Sequence, residues 1–234
     1  MNLKVKLFAD GADKQGILEM NGNSNISGFT TNPTLMKIAG VKDYKAFALD
    51  ILSEIQDKSI SFEVFSDDFE EMERQALDIA SWGDNIYVKI PITNTKAKSS
   101  LPIIESLSKN GVKLNVTAMM TLEQVELVLP ALSEGPASYV SVFAGRIADA
   151  GLDPLPIMTS VVGLLKNYSN IELIWASPRE LYNVVQANDI GCHIITATNN
   201  ILKKLPSLGK DLTQFSLETV QMFRNDAIEA GYNL

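Results

Sequence analysis

Lys89 is the one cation in an otherwise apolar, β-branched run, Asn85-Ile-Tyr-Val-Lys-Ile-Pro-Ile-Thr93. Such a run reads as a buried strand. An ammonium taken out of water is costly unless it is paired or gives up its proton. The free amine that remains is a nucleophile towards carbonyls, which makes this lysine a candidate for Schiff-base chemistry. A lysine at a strand edge with its head in solvent leaves the same local pattern, so the rest of the chain has to decide.

Seven more β-like runs carry polar residues, mostly near one end. Asp10 closes Val5–Asp10, Asn32 closes Ile26–Asn32, and Glu63 lies late in Ile60–Phe65. Asn115 and Thr117 sit in Lys113–Ala118, and Ser141 and Phe143 in Tyr139–Ala144 with Arg146 just beyond. Ser177 ends Ile171–Ser177, with Arg179 two residues on, and Thr196 and Thr198 end Cys192–Thr198. Alternate residues of a strand share a face, so Asn115 with Thr117, Ser141 with Phe143 and Thr196 with Thr198 can point inward together. Each residue has a plain structural use on its own: Asp10 as a turn cap, Glu63 as a lysine partner, the arginines as solvated charges. Jointly they predict one polar pocket.

Helical patterns separate these runs. Apolar residues recur at helical spacing in 43–56 and 67–82, the second opening on acidic residues that suit a helix N-terminus. The stretch 97–110 stops at Gly111, and Thr121-Leu-Glu-Gln124 has capping-box spacing. Further helices are expected over about 155–168, 178–187 and 212–230. Gly16 to Ser27, rich in Gly and Asn, reads as a loop or irregular turn. Eight strands each followed by a helix, with strand ends roughly 27 residues apart, spell a single (β/α)8 TIM-barrel domain over 1–234. An open doubly-wound sheet is the rival, but Asp10-Gly-Ala-Asp13 is not its glycine-rich first turn. In a barrel the C-terminal strand ends form the active-site mouth, where the polar residues gather.

Composition narrows the chemistry. The 234 residues are 46% hydrophobic and carry a formal charge of -8, without long basic blocks, so neither nucleic acid nor an anionic membrane is the expected partner. One cysteine, Cys192, leaves no internal disulfide or thiolate zinc site, and one histidine, His193, builds no multi-histidine metal centre. Their adjacency is accidental, because neighbouring strand residues face opposite ways. No apolar signal core or membrane-length stretch is present, and the expected location is cytoplasmic.

Thr30-Thr-Asn-Pro-Thr-Leu35 and Ile86-Tyr-Val-Lys-Ile-Pro-Ile92 resemble the second-strand signature and the Schiff-base strand of the transaldolase family. The likeness is to its short-chain branch, which includes fructose 6-phosphate aldolase-like proteins. Asn115-Val-Thr117, Ser141-Val-Phe-Ala-Gly-Arg146 and Ala176-Ser-Pro-Arg179 resemble three further motifs in the same order. The resemblance implies a class I aldolase-type barrel that needs neither metal nor organic cofactor. It implies that Lys89 forms an imine with the C2 carbonyl of a ketose phosphate and that Asp10 moves the C4 hydroxyl proton. Glu63 and Thr117 would hold a water, Asn32, Asn115 and Ser141 the dihydroxyacetone portion, and Arg146, Ser177 and Arg179 the phosphate. Short members also form rings, often pentamers or decamers, with the C-terminal helix reaching a neighbour.

The chemistry asks for the same types independently: an amine as electron sink, a carboxylate to handle a hydroxyl proton, and arginine forks with hydroxyls, near a helix N-terminus, for a phosphate. Ser177-Pro-Arg179 is expected to open such a helix. Aldolase-like members typically carry tyrosine where Phe143 stands and glutamine where Glu63 stands, so this chain is more similar to the transferring members. Pro178 and Glu180 depart from the family pattern, which has an aromatic and an amide at those places. The reading rests on an uncharged amine inside a closed ring of strands, close to an acid. A true aldolase that frees dihydroxyacetone and a non-catalytic sugar-phosphate-binding barrel are the alternatives.

Overall fold

The computed structural model describes residues 3–233. Eight parallel strands close into a barrel in the order of the sequence. The first half runs β1 (Lys6–Asp10), α1 (Lys14–Asn21), β2 (Ile26–Thr30), α2 (Pro33–Ile38), α3 (Tyr44–Glu54), β3 (Ser59–Glu63), α4 (Phe69–Ala80), β4 (Ile86–Pro91) and α5 (Leu101–Lys109). The second half runs β5 (Leu114–Met119), α6 (Leu122–Leu132), β6 (Ser138–Val142), α7 (Ala144–Asp149), α8 (Leu155–Leu165), β7 (Ile171–Trp175), α9 (Tyr182–Asp189) and β8 (Ile194–Thr198). A short α10 (Asn199–Leu202), a 3-10 turn over Leu205–Ser207 and the long α11 (Leu212–Glu229) follow. This is the (β/α)8 TIM barrel that the alternation predicts.

Strand alternation divides the apolar residues into two cores. Outward-facing side chains such as Phe29, Phe62, Val88, Val116 and Trp175 pack against the helices in one large shell. A smaller cluster fills the lumen: Phe8, Tyr87, Tyr139, Ile174, Ala176 and Ile194, with Phe143 packed on it. Tyr87 and Tyr139 stack at 4.0 Å, and Phe8 meets Tyr139 edge-on at 5.8 Å. Gly28 is required here, because a Cβ at that position would stand 2.6 Å from the Phe8 ring. The plug closes the barrel from below and leaves the C-terminal strand ends to polar residues.

Several boundaries differ from the sequence reading. The stretch 16–27 is not a loop: Asp13 accepts from Gly16 N at 2.7 Å, caps α1, and lets Ile17 and Met20 bury themselves. Counting glycines and asparagines hides that cap. The helices α2 and α7, each six residues long, are too short to show a periodicity. The expected helix at 178–187 begins only at Tyr182. Ser177 has φ 60°, and the Asn183 side chain accepts from the backbone N–H of Arg179 and Glu180, holding that segment out of the helix. Ser177-Pro-Arg179 therefore does not open a helix, and an anion there would be held by side chains. Helix α5 starts at Leu101, because Ala97 turns with φ 57° and Thr93 bridges Ser99. The other helices match their expected spans to within a few residues at either end. No helix among the described residues is long and apolar enough to cross a membrane.

Candidate active site

β4 places Lys89 in register with Glu63 on β3 and Asn115 on β5, so all three project from neighbouring strands into the lumen. Lys89 is only 6% exposed. Its Nζ donates to the Thr31 carbonyl at 2.8 Å and lies 3.1 Å from Glu63 Oε2. The sequence suggests an uncharged amine close to an acid; the structure sets Lys89 against Glu63 and the Thr31 carbonyl. A carboxylate and a carbonyl are the compensation that an ammonium needs when water is taken away.

Asp10 ends β1 on the same side. Thr30 Oγ1 donates to Asp10 Oδ1 at 2.7 Å and lies 2.5 Å from Thr196 Oγ1. A hydroxyl has one hydrogen, so Thr196 donates to Thr30 while Thr30 donates to Asp10. That relay fixes the carboxylate as an acceptor. Burial pushes the Asp10 carboxyl above the usual carboxylate range, against the opposing pull of the Lys89 cation and the Thr30 hydrogen bond. A carboxylate raised in this way is a better base than an exposed one.

A cavity of about 450 Å³ opens over these groups. Asp10, Glu63, Lys89 and Thr117 all line it. So do Asn32, Ser141, Phe143, Arg146 and Ser177. Thr117 Oγ1 is buried and has no hydrogen-bond partner among the described residues, which leaves the hydroxyl free to bond to a molecule in the cavity. Asn32 Oδ1 accepts from Leu35 N as the cap of α2, which leaves its NH2 group free for the cavity it lines.

Two of the expected residues lie behind the lining. Asn115 is fully buried, donates to Ser61 Oγ at 3.0 Å and accepts from Ser141 Oγ at 2.7 Å, so it orients Ser141. Arg179 donates from Nη1 to both the carbonyl and the hydroxyl of Ser177, each at 2.8 Å, and forks onto Asp149. The guanidinium holds the Asp149 carboxyl below the usual range. Arg146 is the arginine that reaches the cavity itself. Gly145, next to it, is irreplaceable by geometry: a Cβ there would fall 1.6 Å from the Ser177 carbonyl oxygen.

Ala118 and Ser177, both lining the cavity, have φ near +60°. Left-handed backbone without glycine is costly and concentrates at functional sites. At Ala118 it coincides with a break in the β5–β6 register between Val116 and Met119.

Sequence reasoning missed the Thr31 carbonyl and the Asp149 clamp. A backbone oxygen leaves no trace in residue type, and Asp149 lies on α7. The cysteine–histidine neighbours play no part. Burial pushes the Cys192 thiol up to about 12, and His193 Nδ1 accepts from Leu173 N at 3.1 Å. A larger hollow of about 840 Å³ lies at the opposite end, between β1 and the 3-10 turn. Of the charges that line it, Lys203 pairs with Glu19 and Lys6 with Glu172.

A (β/α)8 barrel with a buried lysine and two carboxylates at its C-terminal mouth defines the class of protein. The family model for transaldolase/fructose-6-phosphate aldolase matches residues 7–234, and the chain belongs to that family. A probable transaldolase of Thermoanaerobacter sp. (strain X514) is 37% identical over 98% of this chain and 100% of its own length. One from Dehalococcoides mccartyi is 35% identical over 86% and 90%, and one from Nitrosopumilus maritimus 32% over 92% and 92%. Among solved structures, one described as native KDPGal superposes with a TM-score of 0.57 over 98% of both chains at 12% identity, a likeness of fold.

Proposed function

We propose that the protein is a transaldolase that moves a dihydroxyacetone unit from a ketose phosphate, sedoheptulose 7-phosphate or fructose 6-phosphate, to an aldose phosphate through a Schiff base on Lys89. The observation that carries this reading is the position of Lys89 Nζ, buried in the lumen, paired to Glu63, and sharing one cavity with Asp10 and Thr117. Glu63 accepts the ammonium proton, and the free amine attacks the C2 carbonyl. Loss of water, held between Glu63 and the unpartnered Thr117 hydroxyl, leaves the iminium. Asp10 takes the proton of the C4 hydroxyl, the C3–C4 bond breaks, and its electron pair flows into the iminium to give an enamine and a free aldehyde. The acceptor aldehyde then takes the new bond at the enamine carbon. Asp10 returns its proton to the nascent alkoxide, and water releases the product from Lys89.

Asn32 and Ser141 bind the three-carbon portion, the latter steadied by Asn115. Arg146 and Ser177 bind the phosphate, with Arg179 holding the serine in place from behind. Phe143 brings no proton donor to the enamine, so the intermediate waits for an acceptor. The test is free dihydroxyacetone measured with and without erythrose 4-phosphate. A new ketose phosphate formed only when erythrose 4-phosphate is present, with little free dihydroxyacetone in either case, supports transfer; free dihydroxyacetone released at the same rate without acceptor identifies an aldolase.

Self-association belongs to the same reading. Not one residue of α11 is buried, yet Leu217, Val220, Met222, Phe223 and Ile228 are exposed on it. An apolar face of that kind suits a second copy of this chain. Light scattering would show a ring of several copies, and removal of 212–234 would reduce it to a monomer. A full-length monomer contradicts the assignment.

A further inference from the structure

We infer that Tyr44 is a positioning residue for the Schiff-base lysine, acting through Glu63 and the Thr31 carbonyl; the inference rests on the reading of Lys89 given above.

The β2–β3 ladder aligns Thr30 with Ser61, and Thr31 N donates to the Ser61 carbonyl at 3.1 Å. Continued by one step, a parallel ladder in this register sends Glu63 N–H to the Thr31 carbonyl and brings the N–H of residue 33 to the Glu63 carbonyl. Neither bond forms. The Thr31 carbonyl accepts from Lys89 Nζ instead, and residue 33 is a proline, which has no N–H.

Both backbone groups of Glu63 are thereby left without a sheet partner, beside the carboxylate that pairs with the lysine. One atom replaces both. Tyr44 Oη, from the first turn of α3, accepts from Glu63 N at 2.8 Å and donates to the Glu63 carbonyl at 2.8 Å. The ring is fixed by Phe62, Phe65 and Trp82, with centroids 6.3, 5.5 and 6.2 Å away. Burial pushes the phenol well above its ordinary range, so it stays a donor and acceptor at any working pH. The hydroxyl stands in for a missing strand. It keeps Glu63 at the end of β3 while the ladder gives up Thr31 to the amine.

Without the hydroxyl, Glu63 N–H is expected to reclaim the Thr31 carbonyl, and Lys89 loses one of its two anchors. Tyr44→Phe removes that atom and keeps the packed ring. We expect kcat to fall about tenfold, with KM for the donor changed by less than about twofold, because the lysine is displaced and the sugar contacts are not. The discriminating comparison is the background. In Glu63→Gln the hydroxyl has no carboxylate to position and only the route through the Thr31 carbonyl remains, so adding Tyr44→Phe should lower kcat by less than it does in the parent.

Site-specific 3-fluorotyrosine at 44 serves if the phenylalanine variant does not fold, and it should lower kcat in the parent more than in Glu63→Gln. Parental kcat in the folded Tyr44 variant overturns the inference, as does an equal loss in both backgrounds. Borohydride trapping of the parent separates the two levels. An adduct on Lys89 with an unaffected Tyr44 variant sinks this inference alone, whereas absence of an adduct on Lys89 removes the reading beneath it.

Discussion

Replacing Glu63 with leucine would leave the Lys89 ammonium with the Thr31 carbonyl at 2.8 Å and no countercharge. The side chains of Lys89 and Glu63 are 7% and 18% exposed, so the pair lies in the range where solvent screening is weak. Removing one partner of a buried pair costs about 3–5 kcal/mol, and the carbonyl that stays places this case near about 3 kcal/mol. Lys89→Met strands the more exposed partner and should cost about 1–2 kcal/mol. The double variant has no stranded charge and puts two apolar side chains beside the lumen plug, so it should lie within about 1 kcal/mol of the parent. The pair therefore couples by about 4–5 kcal/mol, and Lys89→Met should rescue the stability of Glu63→Leu. Urea unfolding of the four proteins at one protein concentration and neutral pH, with a common slope, measures this directly. Additive effects, or a Glu63→Leu variant as stable as the parent, would mean that the amine is not held as a buried pair, and the first step proposed for it would lose its proton acceptor.

Asp10→Asn should slow carbon–carbon cleavage while leaving imine formation largely intact, and it should also stabilise the protein. Because burial raises the Asp10 carboxyl above its ordinary value, the native chain holds that proton more tightly than the unfolded chain does. The ionised form costs stability above the raised value, and the cost vanishes below the ordinary carboxylate range. The gain in urea midpoint should be present at pH 8 and absent near about pH 3.5; equal midpoints at pH 8 would contradict this sign. Arg146→Ala should raise KM for a ketose phosphate about tenfold or more, and Arg179→Ala by less, since the second guanidinium is engaged by Asp149 and Ser177. A larger effect at Arg179, read in the same steady-state assay, would exchange their roles. Phe143→Tyr should increase donor-only release of dihydroxyacetone, and an unchanged rate would remove the ring from the choice between transfer and cleavage.

The barrel was legible because its strands announce themselves singly: β-branched runs at regular intervals, each ending on a polar residue that buried apolar strands do not otherwise tolerate. Lys89, Asp10, Glu63 and Thr117 stood out for the same reason, being polar types in apolar surroundings. What escaped was whatever depends on backbone or on partners distant in sequence. Thr31 contributes a carbonyl, which no residue type encodes. Tyr44 reads as one more aromatic on a helix, and its bond to Glu63 follows from a proline eleven residues earlier that lacks an N–H. Arg179 and Arg146 are alike as sequence, and only the Asp149 clamp tells the anchored guanidinium from the one facing the cavity. The α1 cap was hidden by the glycines and asparagines around it, and the start of α9 by a left-handed Ser177 that β-like flanking residues do not betray.

The central claim is that the Lys89 nitrogen is the atom that joins covalently to the sugar. Incubation with fructose 6-phosphate and borohydride, followed by peptide mass spectrometry, tests it most directly. A reduced adduct on the peptide carrying Lys89, lost in Lys89→Met with loss of turnover, is the predicted result. An adduct on another lysine, or full turnover without residue 89's amine, would contradict the account.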